Sequence, residues 1–353
     1  MKVLIIQQKM IGDVLTSSIL FEAIRTTYPD AQLHYLINSH TFPVVEGNPN
    51  VDDFIFFTPE IEKSKRKLLA FAQGLKKEKY DVVIDVYSKF SSNIITLFSG
   101  AKTKISKYKW YTSFIYSHTL KEAKTSKTYA GLAVENRLGL LQPLEILIEN
   151  PIKPKIYLSE KEKNHAKKVL TENGIDLTQP LYMIGVLGSS ISKTYPHDYM
   201  ATVIDTIVNK QPNAQIIFNY IPKQKADADS IFNLCNAETQ QRIHLNIFGK
   251  SLREFLALTS FCDALIGNEG GATNMAKALH IPTFTIFSPW ILKNAWNMFD
   301  DDKSYLSVHL NDFKPELYTN ASYKDAKQDY KSFYEAFSPD LFSSKLNAFI
   351  SNL

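Results

Sequence analysis

Three short segments carry residue types that can move a proton or hold an anion. The first is Gly12-Asp13, soon after an apolar run from Val3 to Ile6. A carboxylate on a turn at the carboxyl end of a strand can take a proton from a hydroxyl. The plain alternative is a helix N-cap, where an Asp oxygen accepts the first free backbone N–H groups. The second is Leu187-Gly188-Ser189-Ser190, followed by Ser192-Lys193. Glycine and small hydroxyl residues let backbone N–H groups approach an anion, and lysine supplies a point charge suited to phosphate. A flexible surface turn would use the same residues. The third is Gly267-Asn268-Glu269-Gly270-Gly271-Ala272-Thr273-Asn274. Adjacent glycines permit close backbone approach, and the helix that follows offers its N-terminus to a phosphate. Glu269 is an acceptor suited to a ribose or sugar hydroxyl. A tight turn capped by Thr273 needs one glycine, whereas here two stand together after a third.

A fourth segment, Lys102 to Lys127, holds seven lysines, including Lys107 and Lys109, against the single acid Glu122. Trp110, Tyr111, Phe114 and Tyr116 lie between them. Clustered cations concentrate an anionic partner, and aromatic rings suit a sugar face or a membrane interface. The alternative is a solvated loop. The run from Lys63 to Lys79 is also basic, but Leu68, Leu69 and Phe71 give it one face of an ordinary helix. Neither stretch carries a nucleic-acid motif.

Other matches are decoys. Gly249-Lys250-Ser251 lacks the earlier glycine of a P-loop, because His244 stands in its place. Asp227-Ala228-Asp229 matches a metal-binding DxD pattern but reads as an exposed helix start, where acids suit the dipole. Asp300 to Asp302 reads as a solvated loop. The chain contains no GxGxxG and no HExxH, and its eight histidines form no pair at ligand spacing.

The elements that position these segments alternate. A short β-branched run, a helical period from Val14 to Tyr28 and a strand at Gln32 to Ile37 form a βαβ unit. Another buried strand is expected at Val82 to Val86. Pro151 and Pro154 mark a linker, after which the pattern restarts. Helices are expected from about Glu160 to Asn173, Tyr199 to Lys210, Ala226 to Cys235 and Thr273 to Leu279. Strands are expected at Tyr182 to Val186, Gln215 to Asn219, Ala264 to Ile266 and Thr283 to Phe287. This makes an α/β chain with a first domain over 1–155, a second over 156–335, and a C-terminal helix in 336–353 packing back across them. Two such domains joined once leave a cleft, with ligands expected at the carboxyl ends of strands.

Composition agrees. The 353 residues suit two domains of ~100–200 residues each. The 44% hydrophobic and 22% charged content excludes disordered, collagen-like and disulfide-scaffold classes. Two isolated cysteines suit a reducing compartment, no run reaches the length of a membrane span, and the start reads as a strand rather than a signal peptide. A cytoplasmic protein is expected.

Together these phrases resemble glycosyltransferase family 9, the ADP-heptose:lipopolysaccharide heptosyltransferases. The likeness rests on the opening KVLIIQQKMIGDVLTSSILFEAIRTTYPDAQLHYLI and on NPNVDDFIFF, YDVVIDVYS and SKTYPHDYM. It rests equally on the late block FGKSLREFLALTSFCDALIGNEGGATNMAKALHIPTFTIFSP. It covers most of the chain and is weakest over about 90–150 and after about 300. The resemblance implies a GT-B architecture, two Rossmann-like αβα domains facing each other across a cleft, and no metal or other cofactor. It implies Asp13 as general base, with sugar transfer from a nucleotide diphosphate by inversion. Lys193, Ser189, Ser190 and the amides from Gly270 to Asn274 would meet the leaving group, with Glu269, Gly271, Ala272 and Thr273 in the donor site. Gly12, Lys107, Lys109 and Trp110 would face the acceptor or the membrane. The implied partners are an ADP-linked sugar, an anionic lipid-linked glycan and the inner membrane surface, with no nucleic acid. In the late block the family usually has Asp, then Ser or Thr, Gly, two variable residues and His. Here Glu269 to Asn274 lengthen the acid, drop a hydroxyl and replace the histidine, which leaves another nucleotide sugar open as donor. A different GT-B nucleotide-sugar enzyme, such as an epimerase, and a non-catalytic binding or scaffold homologue are the alternatives.

Overall fold

The computed structural model describes residues 1–319 and 321–353 and divides into two units, Met1–Tyr157 and Leu158–Leu353. The first unit contains β1 (Lys2–Ile6), β2 (Gln32–Ile37), β3 (Asp53–Phe56), β4 (Val82–Asp85), β5 (Thr103–Lys107) and β6 (His118–Leu120). They form one parallel sheet in the order β3-β2-β1-β4-β5-β6. Val3, Leu4, Ile5 and Ile6 are all fully buried. A strand covered on both faces must be apolar at every position, which is why β1 is a continuous hydrophobic run.

The second unit contains β7 (Leu181–Gly185), β8 (Gln215–Phe218), β9 (Ala264–Asn268), β10 (Thr283–Ile286) and β11 (Tyr305–Val308). Its parallel sheet has the order β11-β10-β9-β7-β8. Its core joins the strands to aromatic residues near the C-terminus. Tyr195, fully buried, packs edge-on to Phe337 and tilted against Phe342, and its hydroxyl donates to the Phe337 carbonyl at 2.5 Å. The helix Ser343–Ser351 buries Leu346, Phe349 and Ile350 and packs on the helix His197–Lys210. The segment from 336 onward, set apart above as a piece packing across the domains, therefore belongs to the second unit and completes its core.

Each sheet reverses its direction of growth once. In the first unit this happens between β1 and β4, and in the second between β7 and β9. Loops leaving the carboxyl ends of strands at such a point have no crossover helix above them, so ligands bind there. Gly12-Asp13 follows β1, the Leu187–Lys193 stretch follows β7, and Glu269–Asn274 follows β9.

Two local differences from the expected pattern matter. The first helix begins at Ile11, so Gly12 and Asp13 lie in its first turn rather than on a turn before it. The segment from Lys102 to Lys127 contains two strands, β5 and β6, at one edge of the sheet. Their signal is hidden because β5 buries only Ile105 and Ser106 and carries lysine on its half-exposed positions.

Candidate active site

In the first unit the extended Met10 caps the helix Ile11–Ser17, and Asp13 occupies its third position. The Met10 N–H points to Asp13 Oδ2 at 3.4 Å, a long contact. The other oxygen is firmly held, with Arg137 Nη2 2.7 Å from Oδ1. Arg137 comes from the last turn of the helix Leu132–Gly139 and also donates through Nε to Ser17 Oγ at 2.9 Å. Tyr35, fully buried on β2, donates its hydroxyl to the Val14 carbonyl at 2.8 Å and pins the same helix to the sheet. The carboxylate is thus oriented through one oxygen, and Oδ2, with only a long backbone contact, keeps capacity to accept a further hydrogen bond. Gly12, beside it, is half-buried, and a Cβ there would meet no atom within 4 Å.

In the second unit the loop after β7 is folded tightly. A Cβ on Gly188 would lie 2.3 Å from the Lys193 carbonyl oxygen, so only glycine lets the loop turn back. The Gly188 N–H donates to Thr194 Oγ1, which donates to the Ser190 carbonyl, each at 3.0 Å. Trp290 Nε1 and Ser288 Oγ both donate to the Ser192 carbonyl, at 2.7 and 3.0 Å. These bonds fix the backbone on either side of Lys193. Its ammonium lies 5.4 Å from the centre of the Trp290 ring and 3.1 Å from Glu269 Oε1.

Asn268 joins the two strand ends. Its Oδ1 accepts from the Tyr195 N–H at 2.7 Å and its Nδ2 donates to the Gly185 carbonyl at 2.9 Å. Gly267 has φ +137°, and a Cβ there would sit 2.4 Å from the Gly185 oxygen, so this glycine serves strand approach rather than a ligand. Gly270 differs, because a Cβ there would meet nothing within 4 Å. Gly270 caps the helix Gly271–Ala278. The first N–H groups of a helix have no partner inside it. The Asn274 N–H is already taken by the Gly270 carbonyl at 3.4 Å, so the amides open to an anion are those of Gly271, Ala272 and Thr273. Thr273 is buried with its hydroxyl toward the Asn268 carbonyl and is not the cap.

Glu269 completes this group in the second unit. Its side chain is only 10% exposed, and Oε1 has no hydrogen-bond donor among the described residues. Lys193 balances its charge from 3.1 Å but lies off the direction of a hydrogen bond. A buried acceptor without a donor is rare in a folded protein, and such a group can take a donor from outside the chain. Ser189 and Ser190 are exposed at the tip of the neighbouring loop.

The basic segment is more engaged than its composition suggests. Lys107 pairs with Glu122 at 3.3 Å, and Lys109 donates to the Ser88 carbonyl. Burial lowers the Lys109 pKa, helped by the charges of Lys107 and Lys89. Trp110 stands 78% exposed. The decoys have structural roles. Ser251 caps the helix Leu252–Thr259, Asp229 pairs with Lys225 on the helix Lys225–Leu234, and Asp300 is hydrogen-bonded to Asn297 and Ser307. Among the described residues no three His, Cys, Asp or Glu side chains are grouped to hold a metal ion.

The family model for glycosyltransferase family 9 (heptosyltransferase) matches residues 68–311. The chain belongs to glycosyltransferase family 9. Lipopolysaccharide heptosyltransferase 2 of Escherichia coli K12 is 23% identical over 302 residues, covering 82% of this chain and 83% of its own. The crystal structure of a family 9 glycosyl transferase from Veillonella parvula superposes with a TM-score of 0.83 at 16% identity, covering 100% of this chain and 98% of that one. An E. coli heptosyltransferase solved with ADP gives 0.64 at 16% identity, covering 95% and 99%. The protein is a glycosyltransferase of the GT-B class, with a parallel α/β sheet in each unit. Among the described residues no helix is long and apolar enough to cross a membrane.

Within this family 9 chain, sequence reasoning missed Arg137 and Trp290, and it named Asn268 in the third segment without its structural role. Arg137 left one signal, being one of five arginines in a chain that otherwise uses lysine for its cations. Arginine is the residue whose planar fork suits a fixed carboxylate.

Proposed function

We propose that the protein is an inverting, metal-independent transferase that moves a heptose or related sugar from an ADP-linked donor to a hydroxyl of a lipopolysaccharide-core or related surface glycan. It works at the inner face of the cytoplasmic membrane. The observation that carries this reading is Glu269 Oε1, a buried acceptor lacking a hydrogen-bond donor among the described residues, beside Lys193 and just ahead in sequence of the uncapped amides of Gly271 to Thr273. A nucleotide sugar supplies what such a group lacks, hydroxyls for the carboxylate and a diphosphate for the lysine and amides. The relatives named heptosyltransferases, and the one solved with ADP, support that choice of donor.

In the reaction, Asp13 Oδ2 takes the proton of the acceptor hydroxyl as that oxygen bonds to the anomeric carbon. Arg137 holds Oδ1 and keeps the carboxylate in one orientation. The bond from the anomeric carbon to the diphosphate oxygen breaks on the opposite face, and the electron pair leaves with the diphosphate. Lys193 and the helix amides stabilise the charge that builds there; one such preorganised donor is typically worth ~10²–10³ in rate.

Calorimetric titration with ADP-, GDP-, UDP- and CMP-linked sugars in the presence of a chelator tests the donor. Binding confined to the ADP-linked sugar is expected, and equal binding across the panel would overturn it. Asp13→Ala should retain donor binding and lose transfer, and unchanged transfer would remove Asp13 from its role. Conversion of the donor sugar without any glycosylated acceptor would replace the transferase reading with an epimerase.

A further inference from the structure

The carboxyl ends of β4 and β5 in the first unit carry a group of rings that the proposed chemistry does not use. Phe90 opens the helix Phe90–Phe98 and is 65% exposed. Trp110 and Phe114, on the connection from β5 to β6, are 78% and 79% exposed. Tyr111 stands edge-on to Trp110 with ring centres 5.6 Å apart and is itself exposed.

These rings are not exposed because their loop is loose. Tyr116, from the same connection, turns inward and donates its hydroxyl to the buried Asp85 Oδ2 at 2.7 Å. The same hydroxyl lies 2.6 Å from the side-chain amide of Asn93, on the helix that Phe90 opens. Lys109 donates to the Ser88 carbonyl, and Ser88 in turn donates its N–H to Asp85 Oδ1 at 2.7 Å. The turn Ser113–Ile115 packs against the helix Phe90–Phe98. The loop and the helix are therefore one pinned platform. Holding large apolar rings rigidly in water is unfavourable unless something covers them.

The charge around the platform says what covers it. Lys89 and Lys107 lie close enough to Lys109 to depress its proton affinity, and Lys121 sits 6.0 Å over the Tyr108 ring. Glu122, paired with Lys107, and the buried Asp85 are the acids that face this group. Exposed rings with several lysines on the same segments match an anionic bilayer surface. We propose that Phe90, Trp110 and Phe114 form a wedge by which the first unit seats itself on an anionic lipid surface. The proposal deepens the membrane-facing part of the reading above and rests on it for the placement of the acceptor in a lipid layer.

The test is co-sedimentation of the full chain with phosphatidylcholine vesicles and with vesicles that also contain phosphatidylglycerol, using the protein and its Phe90→Ser/Phe114→Ser variant. Both residues are exposed, and a thermal melt of the variant should match the parent. The parent should sediment with the anionic vesicles, release with added salt and stay in solution with phosphatidylcholine alone. The variant should bind the anionic vesicles at least about tenfold more weakly. Equal binding of parent and variant, equal binding to the two vesicle types, or no binding by the parent would each overturn the proposal. No nucleotide is present, so a failure of donor binding or transfer leaves this result standing, and a failure here leaves the donor chemistry standing.

Discussion

Arg137 reaches Asp13 across 124 residues of sequence and holds its Oδ1 at 2.7 Å while also donating to Ser17 Oγ. The guanidinium spans two positions of one helix face, so it fixes the carboxylate relative to the helix rather than merely neutralising it. Arg137→Gln should lower kcat by about 10–100-fold, the range expected when a reacting group loses its orientation. Donor KM should stay near the parent value, because the donor contacts proposed above lie on other residues. An equal loss in donor binding would show that Arg137 acts elsewhere.

Lys193 and Glu269 balance each other's charge at 3.1 Å, with side chains 26% and 10% exposed. Lys193→Met should cost the leaving-group charge, a fall of about 10²–10³ in kcat. It also strands a buried carboxylate, which should reduce stability by about 1–3 kcal/mol. The Lys193→Met/Glu269→Gln double variant should recover the melting temperature and remain inactive. Thermal unfolding and initial rates on the same preparations separate the two effects.

Gly188 and Gly267 look alike in sequence and should behave differently. An added Cβ at Gly188 collides with the Lys193 backbone, so Gly188→Ala displaces the lysine. Transfer should fall by about 10–100-fold with a smaller change in melting temperature. At Gly267 the collision is with the Gly185 carbonyl of the neighbouring strand, at a φ of +137°. Gly267→Ala should therefore lower the melting temperature first.

The contrast shows what could be read from the sequence. β1 and β7 are apolar almost throughout, and β2 and β9 bury mostly apolar residues around His34 and Asn268, so one segment reveals each by itself. β3, β6 and β11 are short, and β5, as long as β1, is masked by its lysines. Lys193 and Glu269 stand out by residue type beside glycines. That Glu269 keeps a donor-less oxygen, or that Asn268 ties Tyr195 to Gly185, depends on contacts between distant segments. Spacing carries no trace of these, nor of the bond that brings Arg137 to Asp13.

Glu162 and Arg253 test the electrostatics of the second unit. Arg253 Nε and Nη2 donate to the two oxygens of Glu162 at 2.6 and 2.7 Å, joining the helix Glu160–Glu172 to the helix Leu252–Thr259. These bonds hold the carboxyl down at about 2. A carboxyl depressed in the folded state stabilises at neutral pH, and that contribution disappears as pH falls from the ordinary value of 4.5 toward 2. Arg253→Met should lose about 1.5–3 kcal/mol at neutral pH. Glu162→Gln should flatten the acid limb of a stability–pH curve.

Asp85 should act with the opposite sign. Burial pushes its carboxyl up to about 6 from the ordinary 3.8, against the pull of the Ser88 N–H and the Tyr116 hydroxyl. Between those two values the folded chain binds a proton that the unfolded chain has released. The contribution of Asp85 is therefore most favourable below 3.8 and declines as pH rises through about 6, after which it is constant. The slope cannot exceed about 1.4 kcal/mol per pH unit for one group. Asp85→Asn keeps an acceptor for the Ser88 N–H and places a donor toward the Tyr116 oxygen, so the network survives without the ionisation. Urea unfolding from pH 4 to pH 7 should show a declining stability component in the parent that is missing from Asp85→Asn. Parallel curves for the two proteins would mean that the Asp85 charge is compensated at every pH, and that Lys109 lies close enough to do so.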